Sequence, residues 1–147
     1  ERARAYIISR FEQIGLEPIG ESFESTFEFA RPNGWSPSTT GTNIIARLRG
    51  TGESGRVMVI SAHYDHMGMR GGEIWNGADD NASGVAGLLA TAASFATTPP
   101  QHDIIFVAFD AEEHGLQGAE AFVANPPVPL GRGCGRGALE CQSADGI

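Results

Sequence analysis

Three short stretches of this 147-residue chain gather side chains suited to binding a metal and moving a proton. They are Ser61-Ala62-His63-Tyr64-Asp65-His66-Met67-Gly68, Gly77-Ala78-Asp79-Asp80-Asn81-Ala82-Ser83-Gly84 and Phe109-Asp110-Ala111-Glu112-Glu113-His114-Gly115. Imidazole and carboxylate together are a ligand set for zinc, and a catalytic zinc leaves one position open for water. His63 and Asp65 stand two apart after an apolar run, so their side chains leave one side of a strand. One can hold a metal while the other orients the ring; a surface histidine beside a solvated aspartate is the plain alternative. Asp79-Asp80-Asn81 could simply cap a helix. A carboxylate has two oxygens, however, and can bridge two metal ions ~3.5 to 4 Å apart. Glu112 and Glu113 could be two solvated charges, but like charges side by side near a buried edge ask for a cation or a proton. His66 and His114 flank the motifs as weaker candidates for touching substrate or metal, and His102 reads as an exposed residue ahead of a strand.

Alternating strands and helices would bring all three stretches to one edge of a sheet, where open α/β sheets bind their ligands. From Glu1 to Gly15, Tyr6, Ile7, Phe11 and Ile14 recur at helical spacing. Residues 17–30 read as one extended or edge strand, and Pro32 to Thr42 as a surface loop. Asn43–Leu48 and Arg56–Ser61 read as two neighbouring strands joined by a loop. The second contains Val57-Met58-Val59-Ile60 and lacks polar alternation, which predicts burial on both faces. Met69 to Trp75 reads as a glycine-containing loop. Val85, Leu88, Leu89, Ala92 and Phe95 form one stripe of a helix from Ser83 to about Thr97, stopped by Pro99-Pro100. Asp103–Phe109 predicts a second buried strand, and a shorter helix follows from about Leu116 to Ala124.

Hydrophobic residues make up 41% of the chain, enough for one core in one domain of this length. A net charge of −8 argues against nucleic acid as a partner. The apolar runs are too short to span a bilayer. Glu1 opens an amphipathic pattern with no apolar signal segment, so none is expected within this sequence. The two cysteines, Cys134 and Cys141, do not indicate a redox compartment. Residues 1–130 read as the folded portion, and 131–147 as a separate Gly- and Arg-containing tail, either disordered or read from a shifted frame.

Taken in order, Ala62-His63-Tyr64-Asp65, Gly77 to Gly84 and Ala111-Glu112-Glu113-His114-Gly115-Leu116 resemble the zinc-dependent exopeptidases of metallopeptidase family 28. That family includes bacterial leucyl aminopeptidases, aminopeptidase Y and glutamate carboxypeptidase. The resemblance runs from the first helix to about Leu130, so that residues 1–130 would be the N-terminal part of a zinc peptidase domain. It implies an α/β fold of three layers, helix-sheet-helix, with a mixed sheet incomplete at its C-terminal end. It also implies two zinc ions, a peptide substrate and a secreted or periplasmic location. By position, His63 would bind one zinc, Asp80 would bridge both, Glu113 would bind the second, Glu112 would be the general base and Asp65 would orient His63. A cis peptide at Asp80-Asn81 is implied as well. The family's further aspartate and final histidine have no counterpart in residues 131–147, which leaves each zinc one protein ligand short. The implied reaction is hydrolysis of an N-terminal peptide bond; a noncatalytic, receptor-like binding domain is the alternative.

Overall fold

The computed structural model describes residues 1–30, 38–53 and 55–128. The tail at 131–147, and with it the division at residue 130, lies outside the described residues, as does the expected loop over 32–37. Ile7 and Phe11 recur one turn apart and bury one side of α1 (Arg2–Ile14). The helix ends at Gly15, whose φ of 86° lets its N–H return to the carbonyls of Phe11 and Glu12.

The single strand expected over 17–30 is two: β1 (Glu17–Pro18) and β2 (Glu24–Phe29). The break has a local cause, because Ser22 Oγ accepts the Glu24 N–H at 3.2 Å and turns the chain there. Both pieces pair antiparallel with β3 (Thr39–Leu48). Thr39–Thr42, expected in a loop, is strand because β2 extends far enough to pair with it. Then come β4 (Val57–His63), β5 (Gly68–Arg70) and β6 (Glu73–Trp75). The last two form an antiparallel hairpin where a loop was expected, with Gly71 and Gly72 supplying positive φ at its tip. The chain continues through α2 (Ser83–Thr97), β7 (Asp103–Phe109) and α3 (Gln117–Ala124).

The sheet order is β1-β3-β7-β4, with β2 also on β3. β3 and β4 are therefore not neighbours, contrary to the expectation from their spacing. β7 separates them, antiparallel to β3 and parallel to β4. A parallel pair needs a long crossover, and α2 provides it between β4 and β7. Ile104 to Ala108, the most continuous apolar run, takes the centre and is 1% exposed or less. β4 has a neighbour on one side only among the described residues. It is therefore half-buried rather than buried on both faces, with Met58 47% exposed.

Alternate residues of β3 and β7 point to opposite faces, and the two faces are covered by different helices. Ile44, Ala46, Ile104 and Phe106 pack with Phe11 of α1 and Leu88, Leu89 and Ala92 of α2. Ile45, Ile105 and Val107 pack with Phe122 of α3. This is the expected three-layer α/β arrangement with a mixed sheet. Because β4 and β7 are parallel and His63 lies opposite Phe109, the segments following both strands emerge at one edge.

Candidate functional site

The three motifs meet at that edge. Tyr64 N–H donates to the Phe109 carbonyl at 2.9 Å, which ties the exits of the two strands together. Beyond β4, Asp65 turns inward and its carboxylate accepts the N–H of Glu112 at 3.1 Å and that of Glu113 at 3.2 Å. Those residues open a short 3-10 turn, Glu112–His114, set between two non-glycine residues of positive φ: Ala111 at 55° and Leu116 at 62°. From the other side the turn Ala78–Ala82 delivers Asp80, and the Asp80-Asn81 peptide is cis, as the resemblance implied. Asn81 Oδ1 accepts the Gly84 N–H at 2.9 Å in the first turn of α2, so the Asn81 side chain is engaged with the helix and Asp80 is left for the site.

His63 is the hub. Its side chain is only 12% exposed, whereas that of Asp80 is 76% exposed. His63 Nδ1 faces the Asp65 backbone carbonyl at 3.2 Å and Asp65 Oδ1 at 3.5 Å. Nε2 lies 2.9 Å from Asp80 Oδ1 and 3.9 Å from Glu112 Oε2. Both acceptors at Nδ1 call for a proton there, and in a neutral ring that leaves the Nε2 lone pair aimed at Asp80. Two acceptors so close require a proton or a cation beside both.

The donor types fit zinc. A nitrogen and an oxygen bound to one tetrahedral zinc at 2.0 to 2.1 Å lie roughly 3.3 Å apart, and His63 and Asp80 need little adjustment to reach that. Among the described residues no three His, Cys, Asp or Glu side chains converge as a complete metal-binding group.

Of the predicted residues, His63, Asp65, Asp80 and Glu112 are brought together through their side chains. Glu113 joins through its N–H to Asp65. Asp65 also does more than orient His63, since its carboxylate fastens the glutamate turn. His66 and His114 serve the scaffold: His66 Nδ1 lies 3.0 Å from the Trp75 carbonyl and accepts the Gly68 N–H at 3.1 Å, closing the β5–β6 hairpin. His114 stacks on Phe29, with ring centroids 5.7 Å apart. His102 is half-buried rather than exposed.

Sequence reasoning missed Asn43, Tyr64 and Asp110. Tyr64 donates to the Thr42 carbonyl at 2.7 Å, and burial, with the nearby Asp110 carboxylate, pushes its hydroxyl well above the usual tyrosine range. Asp110 accepts the N–H of Thr42 at 2.9 Å and of Ala111 at 2.9 Å. Its signal was adjacency to the glutamates; Asn43 offered none, looking like the polar start of a strand.

The profile of peptidase family M28 matches residues 43–132. A probable zinc metalloprotease of Pyricularia oryzae is 42% identical over 89 residues, 56% of this chain and 17% of its own length. A vacuolar membrane protease of Schizosaccharomyces japonicus is 39% identical over 118 residues, 80% of this chain and 13% of its own. Among solved structures, a Zn-dependent exopeptidase from Parabacteroides distasonis superposes with a TM-score of 0.70 at 22% identity, covering 88% of this chain and 49% of that one. A glutaminyl cyclase from Porphyromonas gingivalis gives 0.68 at 25%, covering 84% and 46%. A zinc aminopeptidase from Bacillus subtilis gives 0.52 at 32%, covering 59% and 20%. The chain thus spans under a fifth of the length of these two sequence relatives and under half of each of these structures. The expected secreted or periplasmic location is corrected by these relatives, among which vacuolar membrane proteases recur. Among the described residues no helix is long and apolar enough to cross a membrane.

Proposed function

Because the chain belongs to peptidase family M28, we propose that it carries the water-activating part of a zinc-dependent aminopeptidase centre. The observation that carries this reading is the convergence of Asp80 and Glu112 on one imidazole nitrogen, His63 Nε2. His63 and Asp80 would hold one zinc ion, Asp80 would share a second, and Glu113 would complete the second from this chain. Zinc held there would supply Lewis-acid polarisation of the scissile carbonyl and acidify the attacking water. Relatives described as a zinc metalloprotease and a zinc aminopeptidase support the choice of metal.

The remaining chemistry belongs to the protein. Glu112 Oε2 lies 3.9 Å from His63 Nε2, and in this reading it would take the proton from water as oxygen attacks the carbonyl carbon. The same carboxyl then returns the proton to the departing amine nitrogen as the C–N bond breaks. Asp65 holds the Glu112 and Glu113 amides, which fixes the backbone from which both carboxylates project.

A second reading, glutaminyl cyclase activity, is favoured by the likeness to the Porphyromonas gingivalis structure. One assay separates them: the full-length protein is given a leucyl anilide and, separately, a peptide with N-terminal glutamine. Hydrolysis of the anilide, with a loss of about 10² to 10⁴-fold in kcat for Glu112→Gln at unchanged zinc content, is expected. Cyclisation without hydrolysis would support the second reading. Undiminished hydrolysis by Glu112→Gln would remove Glu112 as the base.

A further inference from the structure

The loop bearing Glu112 and Glu113 leaves the sheet at a point where side chains take over from the backbone ladder. β3 and β7 pair in register from Leu48↔Ile104 to Ile44↔Ala108. Past that pair Thr42 N–H goes to the Asp110 carboxylate, and Asp110 N–H goes to Asn43 Oδ1 at 3.1 Å. Asn43 is 1% exposed. Its Nδ2 donates to the Gly118 carbonyl at 2.8 Å, and Gly118 N–H donates to the Asp110 carbonyl at 3.1 Å. These three bonds close a ring through Asp110, Asn43 and Gly118. The amide orientation is fixed by its partners, since an N–H can only donate and a carbonyl only accept. Gly118 has no spare room: a Cβ there would run into the Asp110 carbonyl and Asn43 Oδ1.

We infer that Asn43, with Gly118, is a positioning residue that clamps both ends of the Asp110–Gly118 loop and thereby places Glu112 and Glu113 for the reaction. The loop needs such a clamp. Ala111 and Leu116 hold positive φ without being glycine, and a conformation of that cost persists only where its surroundings over-determine it. Asp65 fastens the loop at its tip, and Asn43 fastens it at its base. The Asn43 side chain bonds to the Asp110 N–H and the Gly118 carbonyl, so it acts through the loop's backbone. The functional part of this inference rests on the proposed roles of Glu112 and Glu113.

The test compares full-length wild type with Asn43→Asp, which keeps the Oδ1 acceptor and loses the donor to Gly118, and with Gly118→Ala. Amide hydrogen exchange at Glu112 and Glu113, measured without metal, is the direct readout. A lost buried hydrogen bond is expected to speed exchange there at least roughly tenfold, with the amides of β7 unchanged. In the activity arm kcat falls about tenfold or more with KM within about threefold, because Glu112 no longer sits at fixed distance from His63. If Asn43→Asp proves unfolded, Gly118→Ala carries the same test from the opposite side of the ring. Unchanged exchange at both glutamates would overturn the clamp. Faster exchange with unaltered kcat would reduce Asn43 to a purely structural residue and overturn its positioning role. An inactive wild type, or a fully active Glu112→Gln, would instead count against the peptidase reading, while the exchange arm still decides the clamp.

Discussion

Tyr64 stands between His63 and Asp65 yet faces away from them, into the Thr42 carbonyl. Burial and the Asp110 charge raise its hydroxyl above the ordinary tyrosine value, so folding favours the protonated form. That stabilisation is complete below about pH 10, the unfolded value, and is lost as pH rises towards the folded one. Tyr64→Phe should therefore lose less stability than wild type when the urea midpoint is compared at about pH 8 and pH 11. At the lower pH it should be weaker by about 1 kcal/mol for the lost hydrogen bond. Equal alkaline losses in both proteins would show that Tyr64 does not carry the effect. That His63, Asp80 and Glu112 would meet was legible through the resemblance of their three motifs to a known family; their types and spacing alone left a helix cap and solvated charges open. The supporting set was not: Asn43 and Tyr64 act through backbone carbonyls and amides brought beside them from 22 to 75 positions away, which no local pattern records.

Elements were readable where one helix or strand carries its own period. The stripe Leu88, Leu89, Ala92 marked α2, and these residues are buried under the sheet. Strand order was not readable, since β3 and β4 follow one another with a glycine-rich connection and look like a pair. It is β7, reached only after α2, that enters between them. The hairpin β5–β6 was hidden for the opposite reason: it is three residues a strand, with Met69, Ile74 and Trp75 largely exposed, and carries no burial signal. If α2 is a packing element whose role at the site ends with the turn before it, Leu88→Ala should cost about 2 to 5 kcal/mol of stability in urea unfolding. Catalysis per folded molecule should stay within about twofold, because Leu88 lies over a turn of helix away from Asp80. A specific loss of kcat without loss of stability would mean that α2 transmits its packing to Asp80 after all.

At the scale of the whole molecule, metal binding and folding should be one linked equilibrium. His63 arrives on β4, Asp80 on the turn before α2 and the glutamates after β7, so only the folded sheet brings them together. A metal that binds this arrangement and not the unfolded chain adds RT ln(1 + [L]/Kd), about 2.7 kcal/mol at one hundred times Kd. The melting temperature of the full-length protein should thus rise by several degrees with added zinc and fall back on chelation. The variants sort the roles. His63→Ala and Asp80→Asn remove donors and should shrink the rise. Glu112→Gln removes the proposed base and leaves the His63 and Asp80 donors intact, so it should keep the rise while losing hydrolysis. A rise abolished equally by all three would make Glu112 a ligand, and the proton would then need another acceptor. No rise in the wild type at saturating zinc would mean that His63 and Asp80 share a proton instead of a metal, which is the other way to reconcile two acceptors 2.9 Å apart.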